Sequence, residues 1–347
     1  MQSTFKLGAI ALAATLCSAA MADMKITGVI DGGYVTTNKT GSSANKTISG
    51  AASSILGVSN VGISGDKDFG DGATGFFNFQ AGFKPTDGKM SDTSTLFSRN
   101  AYVGLKGSAG SVSLGRQWNL NDDWLVGSVF KGGYNAGAVF KFSEFDAISD
   151  IYSKSIKYVT PTMGAFQGAV MYASALNDDN SGSLSNIGLK YADGPIYAAA
   201  TVFNEKSTTD TTYKLTTMGA SYTMGAYKPR IGYASSDIAA GTFVSLGTSA
   251  VAATKANVTN LGIDYAVNPK LTVSLDSLKR KNTTLSNDST VTRLLAIYAW
   301  RPDVAFVGNV ARITNSSTAS QSLSSESSGW VAGQSQQSVA MGVRVTF

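Results

Sequence analysis

The sequence contains no histidine and a single cysteine, Cys17. Without histidine there is no Ser-His-Asp triad, no Cys-His pair and no His-ligated zinc or haem, which removes the usual chemistry of hydrolases and metalloenzymes. With one cysteine no disulfide framework can hold the fold. Proline is scarce, at 6 residues against 37 glycines. The apolar run at residues 7–16 is too short to cross a bilayer as a helix, and nothing after it reads as a transmembrane or amphipathic helix. A net charge of +5 in 347 residues is mild and does not point to nucleic acid.

The N-terminus reads as an export signal. Lys6 precedes the apolar run, and Ala20-Met21-Ala22 is a small-x-small cleavage site. Residues 1–22 are therefore expected to be removed, leaving 23–347. That mature chain has no cysteine, and losing Lys6 leaves 27 basic against 23 acidic residues, or +4.

What the chain has in abundance is period-two alternation. In the last ten residues Val339, Met341, Val343, Val345 and Phe347 alternate with Ser338, Ala340, Gly342, Arg344 and Thr346. Successive strand side chains point to opposite faces, so this is an apolar face backed by a small or polar one. A free strand of this kind at the end of a chain would invite aggregation. Pairing the last strand with the first removes that edge, as in a closed barrel.

Strands are expected at residues 24–37, 54–64, 73–83, 98–106, 111–117 and 151–159. Loops are expected at 38–53, 84–95 and 118–150, the last far longer than ordinary connections. Beyond residue 159, short turns punctuated by Pro and Gly alternate with long polar connections. The turns lie at 160–164, 193–195, 224–226, 268–269 and 301–303. The long connections lie at 177–183, 206–211, 238–256, 281–289 and 314–337. With the turns at 65–72 and 107–110, seven short turns and eight long loops make fifteen connections, hence sixteen strands. The fold class is all-β: a sixteen-stranded antiparallel transmembrane β-barrel, with both termini on the short-turn side. Tyr158, Tyr191, Tyr197, Tyr227, Tyr233, Tyr265, Tyr298 and Trp300 fall near turns or loop starts, as interfacial girdles do.

Several stretches resemble one family. Residues 98–105 (SRNAYVGL), running into 110–118 (GSVSLGRQW), resemble the hairpin of Gram-negative general porins. Residues 28–33 resemble their first strand, 155–158 their sixth, and Phe347 the terminal residue read by the barrel-assembly machinery. The resemblance implies a homotrimer in the outer membrane of a Gram-negative bacterium, in contact with lipid and lipopolysaccharide. It also implies a third loop folded into the lumen. The function it implies is passive diffusion of small hydrophilic solutes and ions through a water-filled channel, without a cofactor or nucleic acid partner. The third loop lacks the family's Pro-Glu-Phe-type motif, and Asn60 stands where many members place an arginine.

A sixteen-stranded barrel is wide enough for water, so function reduces to what narrows and charges the channel. The third loop carries Asp122, Asp123, Glu144, Asp146 and Asp150, with Phe130, Phe140, Phe142 and Phe145 to pin it to the wall while the acids face water. The opposing wall should be basic. The resemblance places Arg99 in the lumen; parity places Lys157, Lys190, Arg230, Arg293 and Arg344 there. Such a field orients dipolar solutes, and the +4 balance gives a weak anion preference. Arg116 shares the parity of Val112, Leu114 and Trp118 and faces outward. A charge facing lipid is expensive, so Arg116 is expected at the trimer interface, paired with Asp87 or Asp92 of a neighbour's second loop. Phe347, Val345, Val343 and Met341 form the assembly signal. A barrel enzyme is disfavoured by the missing histidine. A substrate-selective porin would show lumenal aromatics, whereas parity sends most of them outward. The charge-poor loops at 238–256 and 314–337 leave an adhesin or receptor as a further alternative.

Overall fold

The computed structural model describes residues 24–40, 46–131, 142–174, 182–207, 209–246, 250–323 and 331–347. Residues 1–23, with the expected export signal, lie outside the described residues, as does Phe140. The chain runs through β1 (Lys25–Thr40), β2 (Lys46–Ala52), β3 (Ser59–Gly70), β4 (Ala73–Phe83), β5 (Asn100–Gly107) and β6 (Gly110–Trp118). A short helix, α1 (Leu120–Trp124), and a 3-10 turn at Ser143–Ser149 precede β7 (Ile151–Val159) and β8 (Phe166–Ser174). Then come β9 (Ser183–Asp193), β10 (Ile196–Lys206), β11 (Thr212–Tyr222) and β12 (Tyr227–Ile238). The two-residue strands β13 (Gly241–Thr242) and β14 (Ala250–Val251) pair within a loop. β15 (Thr254–Asn268), β16 (Leu271–Asn282), β17 (Asn287–Arg301), β18 (Val304–Asn315) and β19 (Gln336–Thr346) complete the sheet.

Neighbouring strands pair antiparallel, and β19 closes on β1 from Val29↔Thr346 to Thr37↔Ser338. β2 and β3 both lie against β1 and share one stave. The 17 hydrogen-bonded segments therefore form a closed barrel of sixteen staves. The expected strand count holds, while the alternation of short and long connections fails where 283–286, expected long, is shorter than 160–165, expected short.

Side-chain parity is inverted relative to a water-soluble protein. Leu261 is 54% exposed while its neighbour Asn260 is 0% exposed. Val103, Leu105, Ile187, Leu189, Ile231, Leu275 and Met341 are likewise bare, whereas Asn186, Thr201, Arg230, Asp264 and Asp276 are buried. The bare parity is outward and is covered by lipid in a membrane; the other faces the barrel interior.

Three expectations about elements need correction. Residues 46–52, expected in a loop, form β2 because they extend the ladder with β1 from Gly33↔Ala52 to Thr40↔Lys46. Residues 53–58, expected mostly in a strand, leave the ladder instead. The connection at 281–289 shrinks to 283–286, since β16 and β17 stay paired out to Asn282↔Asn287.

Candidate functional site

The third loop begins with Asn119, whose side chain accepts the Asp122 N–H at 2.9 Å and caps α1. Asn119 Nδ2 also donates to the Ala147 carbonyl at 2.6 Å, tying the two described ends of the loop together. Loop and wall then meet at polar points. The Leu120 N–H donates to Asn186 Oδ1 at 2.7 Å, Thr201 Oγ1 bonds Asn121, and the Tyr197 hydroxyl donates to the Trp124 carbonyl. The Val129 carbonyl accepts from Arg230 Nη1 at 2.7 Å and from Asn260 Nδ2 at 3.1 Å. Tyr197 was expected in an outer girdle; the Trp124 carbonyl holds it on the interior parity.

Phe130, Phe142 and Phe145 are fully buried in one cluster with Met171, Leu184, Phe203, Tyr213 and Val258, all of the interior parity. Tyr152, Phe203, Tyr213 and Phe243 form a run of ring contacts, 5.7, 5.7 and 6.0 Å between centroids. This inward aromatic row was missed from the sequence, where interest centred on the outward aromatics.

The acids of the loop do not simply face water. Asp123 Oδ2 lies 2.7 Å from Lys157 Nζ. Burial raises the Asp123 carboxyl above its usual range, with Lys157 opposing. Glu144 is buried in a bidentate pair with Arg280 and also accepts Asn282 Nδ2 at 2.9 Å. Burial pushes its carboxyl up, but the Arg280 hydrogen bond and charge overcome this and leave it lowered. Asp150 accepts the Ile151 N–H at 2.7 Å, and burial raises it to about 6. Asp122 lies within electrostatic reach of Arg99. The side chain of Asp146 lies outside the described residues.

The basic residues fall on the interior parity as expected, but they are interleaved with acids rather than ranged opposite them. Arg230 Nη2 reaches Asp264 at 3.0 Å and Asp276 at 2.7 Å, and Arg293 Nη2 reaches Asp276 at 2.6 Å. Lys131, from the third loop, pairs with Asp264 at 2.8 Å. Arg344 reaches Asp31 at 3.4 Å. Lys190 stands over the Trp124 ring at 5.4 Å. Arg99 donates to Gln80 Oε1 at 3.2 Å and stands over the Trp118 ring at 5.0 Å. Trp118 was expected to share an outward face with Arg116; it underlies Arg99 instead. Asp264, Asp276, Asp31 and Arg280 were overlooked in the sequence. Parity would have found the wall acids, since Asp264 lies between outward Ile263 and Tyr265, and Asp276 follows outward Leu275.

Arg116 is satisfied within its own chain, donating to the Ser98 carbonyl and to Ser153 Oγ, both at 2.9 Å. Asp92 accepts from Ser94, and Asp87 lies 3.8 Å from Lys89. Of the terminal strand, Met341 and Val343 are exposed on the outward face and Val345 is half-buried.

A sequence profile described as Gram-negative porin matches residues 8–318. The chain belongs to the Gram-negative porins. This porin is 26% identical over 261 residues to an outer membrane porin protein of Bordetella pertussis, covering 65% of this chain and 68% of that one. It is 28% identical over 190 residues to the major outer membrane protein P.IB of Neisseria gonorrhoeae, 53% of each chain, so the match spans about half of that relative. The solved anion-selective porin from Comamonas acidovorans shares its fold, with a TM-score of 0.83 at 22% identity over 94% of this chain and 100% of that one. As a Gram-negative porin the protein resides in the outer membrane, and its bare apolar parity faces that membrane's lipid.

Proposed function

We propose that this porin passes small hydrophilic solutes and ions by passive diffusion through its water-filled lumen, with a weak anion preference, and that its third loop folds inward to form the constriction. The observation that carries this reading is the inverted polarity of a closed sixteen-stave barrel, with leucine, isoleucine and valine outside and asparagine, arginine and aspartate inside. The infolding is supported by the hydrogen bonds from Arg230 and Asn260 to the Val129 carbonyl and by the Arg280–Glu144 pair. The anion preference is supported by Arg99, which lies within electrostatic reach of both Arg344 and Asp122, and by the Comamonas porin of the same fold.

The test is recording in a planar bilayer under a salt gradient. Conductance steps with a reversal potential on the anion side support the reading, and a bilayer that stays silent at high protein concentration sinks it. Three equal closing steps per insertion would support the homotrimer. Arg116→Glu tests a subunit contact involving Asp87 or Asp92 through the heat resistance of the oligomer; unchanged resistance argues against that contact.

The remaining partners are proposals on the same footing. Val343, Met341 and Phe347 present an outward apolar edge suited to strand addition by the assembly machinery. On the outward face at the long-loop end, Lys206, Lys214, Lys255, Lys279, Lys281 and Arg312 are exposed. Of these six, within the described residues, only Lys255 is ion-paired, to Asp237 at 2.7 Å. That row suits the phosphates of lipopolysaccharide. The substrate-selective alternative gains nothing from Tyr152, Phe203, Tyr213 and Phe243, because their faces are buried against the third loop and the wall and offer no surface to a passing sugar.

A further inference from the structure

The second stave of the barrel is longer than its place in the wall. β1 pairs with β2 at Gly33↔Ala52 and with β3 at Val29↔Asn60. Three residues of β1 (30–32) therefore stand opposite seven of the stave (53–59), where a regular ladder would set three against three. The four-residue excess is far larger than an ordinary bulge. It is displaced to the interior. Ile55 and Leu56 are buried against Leu295, Val307 and Ala340, which are interior-parity residues of β17, β18 and β19. Gly342 leaves the room: a Cβ there would lie 2.8 Å from Ile55 Cγ1.

One side chain gathers the displaced turn. Asp31, midway along the three-residue gap and 1% exposed, accepts the Ile55 N–H at 2.7 Å, the Leu56 N–H at 3.0 Å and the Gly57 N–H at 3.1 Å. Its backbone N–H donates to Ser59 Oγ at 2.8 Å, and Ser59 Oγ donates back to its carbonyl at 3.0 Å. Three successive N–H groups that have lost their ladder partners thus converge on one buried anion, a rigid arrangement. Arg344 supplies the counter-charge.

We propose that residues 53–58 form a second constriction element, positioned by Asp31, which narrows the lumen from the side opposite the third loop and sets the size of the small anions and neutral solutes that pass. Arg344, which clamps Asp31, lies within electrostatic reach of Arg99, and Arg99 within reach of Asp122 in α1. The turn and α1 therefore border the same water. Arg99 and Arg344 are the cations at this point, so the solutes held longest there are small anions. Asp31 acts as a positioning residue: its charge is spent on the turn and on Arg344.

The proposal rests on the channel reading, and the experiment separates the two. In planar bilayers the wild-type protein must conduct; silence counts against the channel reading. Deleting residues 54–57 removes the excess and permits a regular ladder. It is expected to raise single-channel conductance at least about 1.5-fold and to admit larger sugars in liposome swelling, because the narrowest section sets both. Unchanged conductance and sugar cut-off overturn the proposal. Should the deletion fail to assemble, Gly57→Cys serves, since a Cβ there meets only Arg344 Nη1, at 3.5 Å. The only native cysteine, Cys17, lies in the expected export signal. A charged methanethiosulfonate reagent is expected to cut the current by about a third or more and to shift its ion preference. Complete labelling by mass with unaltered current overturns the proposal. Asp31→Asn should leave the mean size of the pore near wild type but add open-channel noise, and Asp31→Glu should suppress that noise; quiet Asp31→Asn channels also count against it.

Discussion

The ring of Phe347 lies across the bare Cα of Gly28. A Cβ at Gly28 would stand 2.2 Å from Phe347 Cζ, and the two residues exchange N–H···O bonds of 2.8 and 3.0 Å. The last residue thus both closes the ladder and covers the seam on the lipid side, where it remains 61% exposed. Gly28→Val should force that ring away and lower the unfolding temperature of the heat-modifiable folded form, an overpacking loss of about 1–3 kcal/mol. Deleting Phe347 should leave Gly28 unpaired and reduce the outer-membrane yield. Equal yield and equal heat resistance for both variants would show that the seam carries no weight.

A second prediction concerns Glu144. Its pair with Arg280 bridges residues 136 positions apart in sequence and ties the 3-10 turn of the third loop to β16. Breaking a buried pair by removing one partner costs about 3–5 kcal/mol, because the other charge is left uncompensated. Glu144→Gln or Arg280→Met should therefore loosen the loop, raising current noise and lowering the unfolding temperature, and the double variant should recover part of the loss. Arg280 holds the Glu144 carboxyl below its usual range, so this anchor persists through mild acid and fails only as pH falls through that lowered value.

Much of this architecture was legible because period two serves both faces of a membrane strand. Arg230 could be placed from outward Ile231 and Tyr233 alone, and Arg344 from the terminal run. What parity does not report is the partner across the wall: Asp264 and Asp276 follow the same rule as Arg230, yet their pairing depends on the register of β12, β15 and β16. Residues 53–58 misled for a different reason. Ser-Ser-Ile-Leu-Gly-Val is as strand-like as its surroundings, and only the Asp31 carboxylate, 24 residues away from Ile55, withdraws it from the ladder. Tyr197 likewise had the composition of a girdle residue and was claimed by a loop carbonyl. Tertiary hydrogen bonds, not local propensity, decide such cases.

Asp150 offers a pH test with a defined sign. Burial raises its carboxyl from the usual 3.8 to about 6. The folded protein therefore holds this proton more tightly than the unfolded chain. Stability from this group is full below about pH 4, declines as pH rises towards 6, and is level above. Asp150→Asn cannot ionise. The difference in unfolding temperature between variant and wild type should move in favour of the variant between pH 4 and 6.5 and stop changing beyond. A difference that is flat with pH would show that Asp150 is solvated.

The outward basic row tests a lipid contact. Along β16, Lys279 lies four residues, or about 14 Å, from the lipid-facing Leu275, so one amphiphile can touch both. Lys279→Glu with Lys281→Glu should weaken retention of phosphorylated lipid A through detergent purification several-fold and leave the conductance unchanged, since both side chains point away from the lumen. Equal retention by wild type and variant would remove this row from consideration.

Ion preference should depend on which face a charge occupies, and Arg99, just before β5, and Arg116, on β6, make the comparison. Arg99 touches Gln80 and the Trp118 ring on the interior side; Arg116 bonds Ser98 and Ser153 on the outward side. A charge influences permeating ions only within a screening length, about 10 Å at 0.1 M salt and about 3 Å at 1 M. Arg99→Gln should therefore shift the reversal potential towards cations in a gradient near 0.1 M, and most of that shift should vanish near 1 M. Arg116→Gln removes the same charge a strand away and should shift it little at either concentration. If the two variants move the reversal potential equally, the field in the pore reflects net charge alone, and the placement of Arg99 at the constriction fails.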